Sequence, residues 1–163
     1  MIITIRDVKE GINEFEQIVP SSHYDLPEQD FYPNLLSLKI FIDRLENLFR
    51  IRISVSTDAV FSCDRCLRRY KSNFNETIEQ LYQLGHDDLE SDEIEYLPAN
   101  SKEIDISKSI HDVFVLNRPI QLLCKNDCKG LCMKCGVDLN EQSCDCQKTE
   151  IDPRFEKLKL LLK

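Results

Sequence analysis

Eight cysteines restrict what this chain can become more than any other feature, and six of them fall within the 23 residues from Cys124 to Cys146. Cys124, Cys128, Cys132 and Cys135 stand as C-x₃-C-x₃-C-x₂-C, and Cys144 and Cys146 follow as C-x-C. A separate C-x₂-C lies far upstream at Cys63 and Cys66. Two thiolates at C-x₂-C spacing on a tight turn can face one ion while the turn's amides donate to the sulfurs, and tetrahedral zinc takes four such ligands. Gly136 after "CMKC" supplies the left-handed residue that such a turn uses, and Gly130 allows a bend between ligands. Spacing suggests Cys132, Cys135, Cys144 and Cys146 as a local set, with Cys63 and Cys66 joined by Cys124 and Cys128 from the far end. The alternative is one site drawn from the C-terminal six, the other thiols staying free. An all-cysteine set is typically closed and structural, so the expected cofactor is one or two structural zinc ions. Four thiolates also suit rubredoxin-type iron, which keeps an iron or thiol redox protein as an alternative. A thioredoxin-like use of Cys63 and Cys66 would need a helix after the motif, and strand-like sequence flanks it on both sides.

Composition narrows the setting. The chain has 163 residues, 42% hydrophobic and 31% charged, which suits a globular domain, or a domain plus a small module. Its N-terminus has no basic segment followed by an apolar one, and no apolar run reaches the ~18 residues of a membrane span. The expectation is a soluble, cytoplasmic protein, where clustered cysteines read as metal ligands or redox groups and not as disulfides. A net charge of −8 works against non-specific nucleic-acid binding and leaves room only for a restricted basic patch.

Hydrophobic periodicity places the motifs. Leu36, Leu38, Ile40 and Ile42 share one face at period two, and Phe49, Ile51, Ile53 and Val55 do the same across "RLEN". A third alternating run passes through Tyr70, Phe74 and Ile78. Ile3, Ile5 and Val8 suit an edge strand, 11–19 reads as a short helix or a strand, and the proline-bearing 20–33 reads as a loop. Ile106, Ile110, Val113 and Phe114 form a helical stripe, with Asp105 or Ser107 to cap it and Pro119 to end it. Asp152 and Pro153 start a C-terminal helix with Phe155, Leu158 and Leu162 on one face. Asp87, Asp88, Glu90, Asp92, Glu93 and Glu95 make an acidic block, read as a solvated loop or as a docking surface for a basic partner.

No phosphate-binding loop, nucleophile elbow or zinc-protease motif is present, and His23, His86 and His111 are scattered, so no catalytic residue and no small-molecule substrate are nominated. One basic patch surrounds the first cysteine pair: Arg65, Arg68, Arg69 and Lys71. It is read either as a set of phosphate contacts or as a solvated turn that offsets the acidic block.

"CDRCLRRY", "PIQLLCKNDCKGLCMKCGVDLNEQSCDC" and "DPRFEKLKLL" together resemble the YceD family of large-ribosomal-RNA-subunit accumulation proteins. The resemblance implies a non-enzymatic role in large-subunit biogenesis, with 23S ribosomal RNA of the 50S subunit or a pre-50S ribosomal protein as partner. A protein-binding adaptor without RNA contact is the rival. The expected fold is α+β: an antiparallel sheet or small barrel with one mid-chain helix over 1–118, and a cysteine-rich zinc module with a short helix over 119–163.

Overall fold

The computed structural model describes residues 1–85, 91 and 93–146. The expected C-terminal helix and the acidic positions Asp87, Asp88, Glu90 and Asp92 lie outside the described residues. Among the described residues seven strands form: β1 Ile2–Thr4, β2 Gly11–Pro20, β3 Leu35–Leu45, β4 Leu48–Ser62, β5 Arg69–Leu84, β6 Ile94–Leu97 and β7 Glu103–Asp105. The α-helix among the described residues, α1, spans Ser107–Leu116. Among the described residues no helix is long and apolar enough to cross a membrane.

Period-two patterning drives the main sheet. Leu36, Leu38, Ile40 and Ile42 of β3 and Phe49, Ile51, Ile53 and Val55 of β4 are all fully buried. Their polar alternates face outward, where Ser54 and Thr77 share a hydrogen bond at 2.9 Å and Arg52 meets Glu79 at 2.9 Å. Glu46 turns the chain between β3 and β4 with a left-handed φ of 52°, and Leu45 pairs Leu48. Strand order is β2-β3-β4-β5-β6, with β1 and β7 pairing separately.

Two expectations change here. The sheet does not close into a barrel, because β2 and β6 lie at opposite edges and do not pair. Nor is it wholly antiparallel, since β6 runs parallel to β5 from Leu81↔Ile94 to Leu84↔Leu97. The segment 11–19 is a strand, and the N-terminal strand stops at Thr4 in favour of a 3₁₀ turn. The proline-bearing loop carries two short 3₁₀ turns and places Tyr24, Leu26 and Tyr32 in the core.

Helix α1 covers the inner face of β4 and β5 with Ile110, Val113 and Phe114. Phe114 stacks on Phe74 at 4.9 Å and meets Tyr32 edge-on at 4.7 Å. The Tyr82 and Ser109 hydroxyls satisfy one another at 2.8 Å, which lets both sit buried. Asp105 accepts from the Ser107 amide at the helix start. The helix ends at Leu116, earlier than Pro119 requires, where the Asn117 side chain donates to the Val113 carbonyl at 2.9 Å.

The longest pairing carries the chemistry outward. β4 and β5 stay in register from Leu48↔Gln83 to Ser62↔Arg69, so the turn holding Cys63 and Cys66 is the tip of a long arm. This register rests on its inner face. Ile53→Ala should destabilise by about 2–5 kcal/mol, by lost burial plus a cavity. Ser54→Ala, one residue along on the outer face, should cost less than about 1 kcal/mol. Denaturant unfolding of both variants checks the contrast.

Candidate metal centre

Two turns of one design hold the C-x₂-C pairs. In the first, the Cys63 amide donates to the Arg68 carbonyl at 2.9 Å and the Leu67 amide to the Cys63 carbonyl at 2.8 Å. In the second, the Cys132 amide donates to the Val137 carbonyl at 2.8 Å and the Gly136 amide to the Cys132 carbonyl at 2.9 Å. The residue after the second cysteine is left-handed in both: Leu67 at φ 58° and Gly136 at φ 73°. Glycine takes that conformation freely, whereas leucine does so at a cost of about 1–2 kcal/mol.

The eight sulfurs gather as two tetrads. Cys63, Cys66, Cys124 and Cys128 form one, and Cys132, Cys135, Cys144 and Cys146 the other, with the ligand atoms of each set within 4.8 Å of one another. Sulfurs bound at about 2.3 Å around a tetrahedral ion stand about 3.8 Å apart. Cys63 and Cys128 are separated by 3.8 Å, Cys66 and Cys124 by 3.6 Å, and all eight cysteines are free thiols. Either set can hold a metal ion. The first tetrad is nearly sealed, with Cys63, Cys66 and Cys128 buried, while Cys135 of the second is exposed.

Charge within each set is uneven. Burial raises the Cys63 thiol, but amide hydrogen bonds from Cys124, Cys66 and Arg65 outweigh it and bring the pKa down to about 6. Amides of Cys135 and Lys134 likewise bring Cys132 down to about 6. Burial and the neighbouring Cys66 thiol push Cys124 up to about 12, and the hydrogen bond with Cys135, followed by burial, does the same to Cys146. Each turn thus stabilises one thiolate, and the sulfurs crowded around it resist a second negative charge unless a cation is present.

The first tetrad joins sequence-distant segments, and residues beyond the cysteines make the join, Asp64 and Asn140 among them unremarked in the sequence reading. Asp64 donates its amide to the Leu122 carbonyl at 2.8 Å and accepts the Leu122 amide on Oδ2 at 2.7 Å. This clasp holds the extended arm just before Cys124. Arg65 donates to the Cys128 carbonyl at 2.9 Å and accepts from the Leu131 amide at 3.0 Å. Gly130 sits so close that a Cβ there would lie 2.9 Å from the Arg65 carbonyl oxygen, and its φ is +75°. Asn140 bridges the tetrads, accepting from the Lys129 amide at 2.9 Å and donating to Cys128 Sγ at 3.4 Å. Asp64 lies inside the C-x₂-C motif, where an acceptor is a recognisable turn former. Asn140 gave no signal beyond its place in a polar loop.

The basic patch divides. Arg68 bridges Asp138 and Glu141, each at 2.6 Å, and Arg65 is tied to Cys128. Arg69 and Lys71 are exposed on the outer face of β5 and make no ion pair among the described residues. No helix follows Cys66; β5 does, so the turn lacks the helix N-terminus of a thioredoxin-type thiol.

The sequence pattern described as "Large ribosomal RNA subunit accumulation protein YceD" matches residues 51–162, and the chain belongs to that family. A protein of Arabidopsis thaliana named large ribosomal RNA subunit accumulation protein YCED homolog 1, chloroplastic, is 28% identical over 154 residues, covering 76% of this chain and 48% of that protein. A Zea mays protein of the same name is 41% identical over 68 residues, covering 41% of this chain and 23% of the relative. An uncharacterised Mycobacterium tuberculosis protein is 29% identical over 126 residues, covering 76% of this chain and 60% of its own length. This chain therefore spans about half the length of the Arabidopsis relative, and less of the maize one. No solved structure matches it.

The clasp gives a direct expectation. Asp64→Ala removes the acceptor for the buried Leu122 amide and should cost about 1–3 kcal/mol. It should also speed metal loss from the first tetrad more than from the second. Unfolding curves and chelator-release kinetics on metal-loaded protein check both effects.

Proposed function

We propose that this chain is a non-enzymatic ribosome-biogenesis factor that supports accumulation of large-subunit ribosomal RNA, and that its tetrads hold two structural zinc ions. One observation carries the metal reading: eight thiols converge in two sets of four, each set within 4.8 Å, with no disulfide. The family description supports the process, and the relatives' names point the same way. Cys63, Cys66, Cys124 and Cys128 would bind one ion, and Cys132, Cys135, Cys144 and Cys146 the other. Zinc would supply cross-links there, not chemistry, because four thiolates leave no open coordination position for a reacting water. The division into a sheet-rich part over 1–118 and a metal module over 119–163 belongs to the same proposal, as does a cytoplasmic workplace.

Arg69 and Lys71 are the free cations of the basic patch and are the proposed phosphate contacts. Arg68 serves the join between the arm tip and the module instead. Two contacts on an acidic chain support restricted docking to pre-50S ribosomal RNA, not a general affinity for nucleic acid.

Elemental analysis should find two zinc ions per chain in the native protein and one in Cys132→Ser; none in the native chain would overturn the metal reading. Ligand thiols must lose their protons to bind. Cys66 and Cys124 in one set and Cys144 and Cys146 in the other are raised above the ordinary thiol value, so they are protonated at pH 7. Zinc uptake at pH 7 should therefore release at least two protons per ion, read with a pH indicator, and affinity should fall as pH falls.

For RNA, the double variant Arg69→Ala/Lys71→Ala should lower the slope of log affinity against log salt by about 2, roughly one per lost phosphate contact. An unchanged slope would remove these residues from the interface.

A further inference from the structure

The free edge of the main sheet carries an inference independent of metal and RNA. β2 pairs β3 along one side from Gly11↔Arg44 to Pro20↔Leu35, and its other side meets no strand among the described residues. The chain itself occupies the start of that side. Asn13 accepts from the Lys9 amide at 3.0 Å and donates to the Lys9 and Gly11 carbonyls at 2.7 and 3.0 Å. From Glu14 to Val19, no backbone hydrogen bond beyond the β3 ladder engages the strand among the described residues.

Exposed edges are ordinarily blunted by lysine, proline, a bulge or a covering segment. Between Ile12 and Val19 there is no lysine and no proline, and the register with β3 is unbroken. Ile12 is 83% exposed and Ile18 69%. The charged side chains on it, Glu14 and Glu16, are the one such device between 12 and 19, so the edge stays open to a strand that neutralises them, and added strands are a recurring mode of peptide recognition.

Its outer face reads Ile12, Glu14, Glu16, Ile18, and that order selects the occupant. A second copy pairing antiparallel about the strand centre would set Glu14 against Glu16, Glu14 against Glu14, or Glu16 against Glu16. Like charges directly opposite one another destabilise a strand pair. A polyanion meets the same repulsion. Across the occupied side the sheet already matches Glu16 with a cation, Lys39, at 2.7 Å. Glu14 makes no ion pair among the described residues.

We propose that the free edge of β2 receives an extended segment of a basic protein as an added strand, with Lys or Arg opposite Glu14 and Glu16 and apolar residues opposite Ile12 and Ile18. Backbone hydrogen bonds along 14–19 supply attachment, and the two glutamates supply selection.

The test uses the full chain and a capped eight-residue synthetic peptide alternating with threonine, its other positions reading Val-Lys-Lys-Val, beside a twin with Glu for Lys. The lysine peptide should bind at least tenfold more tightly than its twin in calorimetry. Its binding should slow hydrogen exchange at those amides of 14–19 that point away from β3. Glu14→Lys/Glu16→Lys, at two exposed positions, should invert the preference, and Ile12→Thr/Ile18→Thr should weaken both peptides. Equal binding of the twins, protection elsewhere, or no binding would overturn the proposal. So would amides of 14–19 that point away from β3 being already slow to exchange in the free chain, a dimer in sedimentation that Glu14→Lys abolishes, or an RNA oligonucleotide protecting the same amides.

Discussion

Everything described beyond the helix hangs on one six-residue turn. The Cys63–Arg68 turn offers its successor segment two sulfurs, the Asp64 amide and carboxylate, the Arg65 carbonyl and guanidinium, and the Arg68 guanidinium. The segment 119–146 has little apolar substance of its own. Leu122 reaches the main core, and the small second cluster consists of Cys63, Cys66 and Cys128 with Tyr70, Leu123, Cys124 and Leu131 around them. A stretch this poor in burial cannot meet its conformational entropy by hydrophobic contact; small modules of this kind need added staples, and the two cysteine tetrads could supply them by holding metal. Tyr70 touches both clusters, so the sheet's core grades into the sulfur cluster without a polar gap.

The two tetrads play different parts. The second closes over 15 residues of chain, from Cys132 to Cys146, and its sulfurs lie nearer solvent. The first ties Cys63 to Cys128 across a sequence separation of 65, within a buried pocket. Local closure costs less loop entropy than distant closure, so the second set can organise with less help from the rest of the fold. Once organised, its loop presents Asn140 to Cys128 and Lys129, and Asp138 to Arg68. Asn140's amides and then Arg68 hold the Asp138 carboxyl below its ordinary value, so this contact is a charged one. The order of the loop around one tetrad therefore bears on the geometry of the other.

What could be read from the sequence followed from periodicity and spacing. Leu36 to Ile42 and Phe49 to Val55 announced their buried face because a half-covered sheet leaves a period of two, and the stripe from Ile106 to Phe114 announced the helix in the same way. Cysteine spacing carried the local set at Cys132–Cys146. Long-range polar pairing was not legible. Nothing in "CDRC" says that its aspartate will clasp Leu122, and a four-residue strand such as Ile94–Leu97 after an acidic block leaves too few residues for a pattern. Whether β2 and β6 would meet was equally hidden, since closure depends on tilt and strand order across the whole sheet.

The arginines at the turn illustrate how a charge pattern misleads when its partners lie far along the chain. Four cations within seven residues resemble a phosphate-binding patch, and in an acidic protein they stand out more. Two of the four are spent internally. Arg68 donates from one guanidinium nitrogen, Nη2, to the carboxylates of both Asp138 and Glu141. Arg65 caps a carbonyl beside the first tetrad, where a buried acceptor would otherwise lack a donor. The residues left over, Arg69 and Lys71, alternate with inward-facing Tyr70 on β5 and so project to the same outer face. On that face Glu79 already engages Arg50 and Arg52, and Glu16 engages Lys39. Among the described residues the face therefore grades from Arg69 and Lys71, without ion pairs, near the cysteine turn to Glu14, without an ion pair of its own, at the far edge. The proposed contacts with nucleic acid and with a basic protein would thus fall at opposite ends of one sheet face, without either competing for the other's ground.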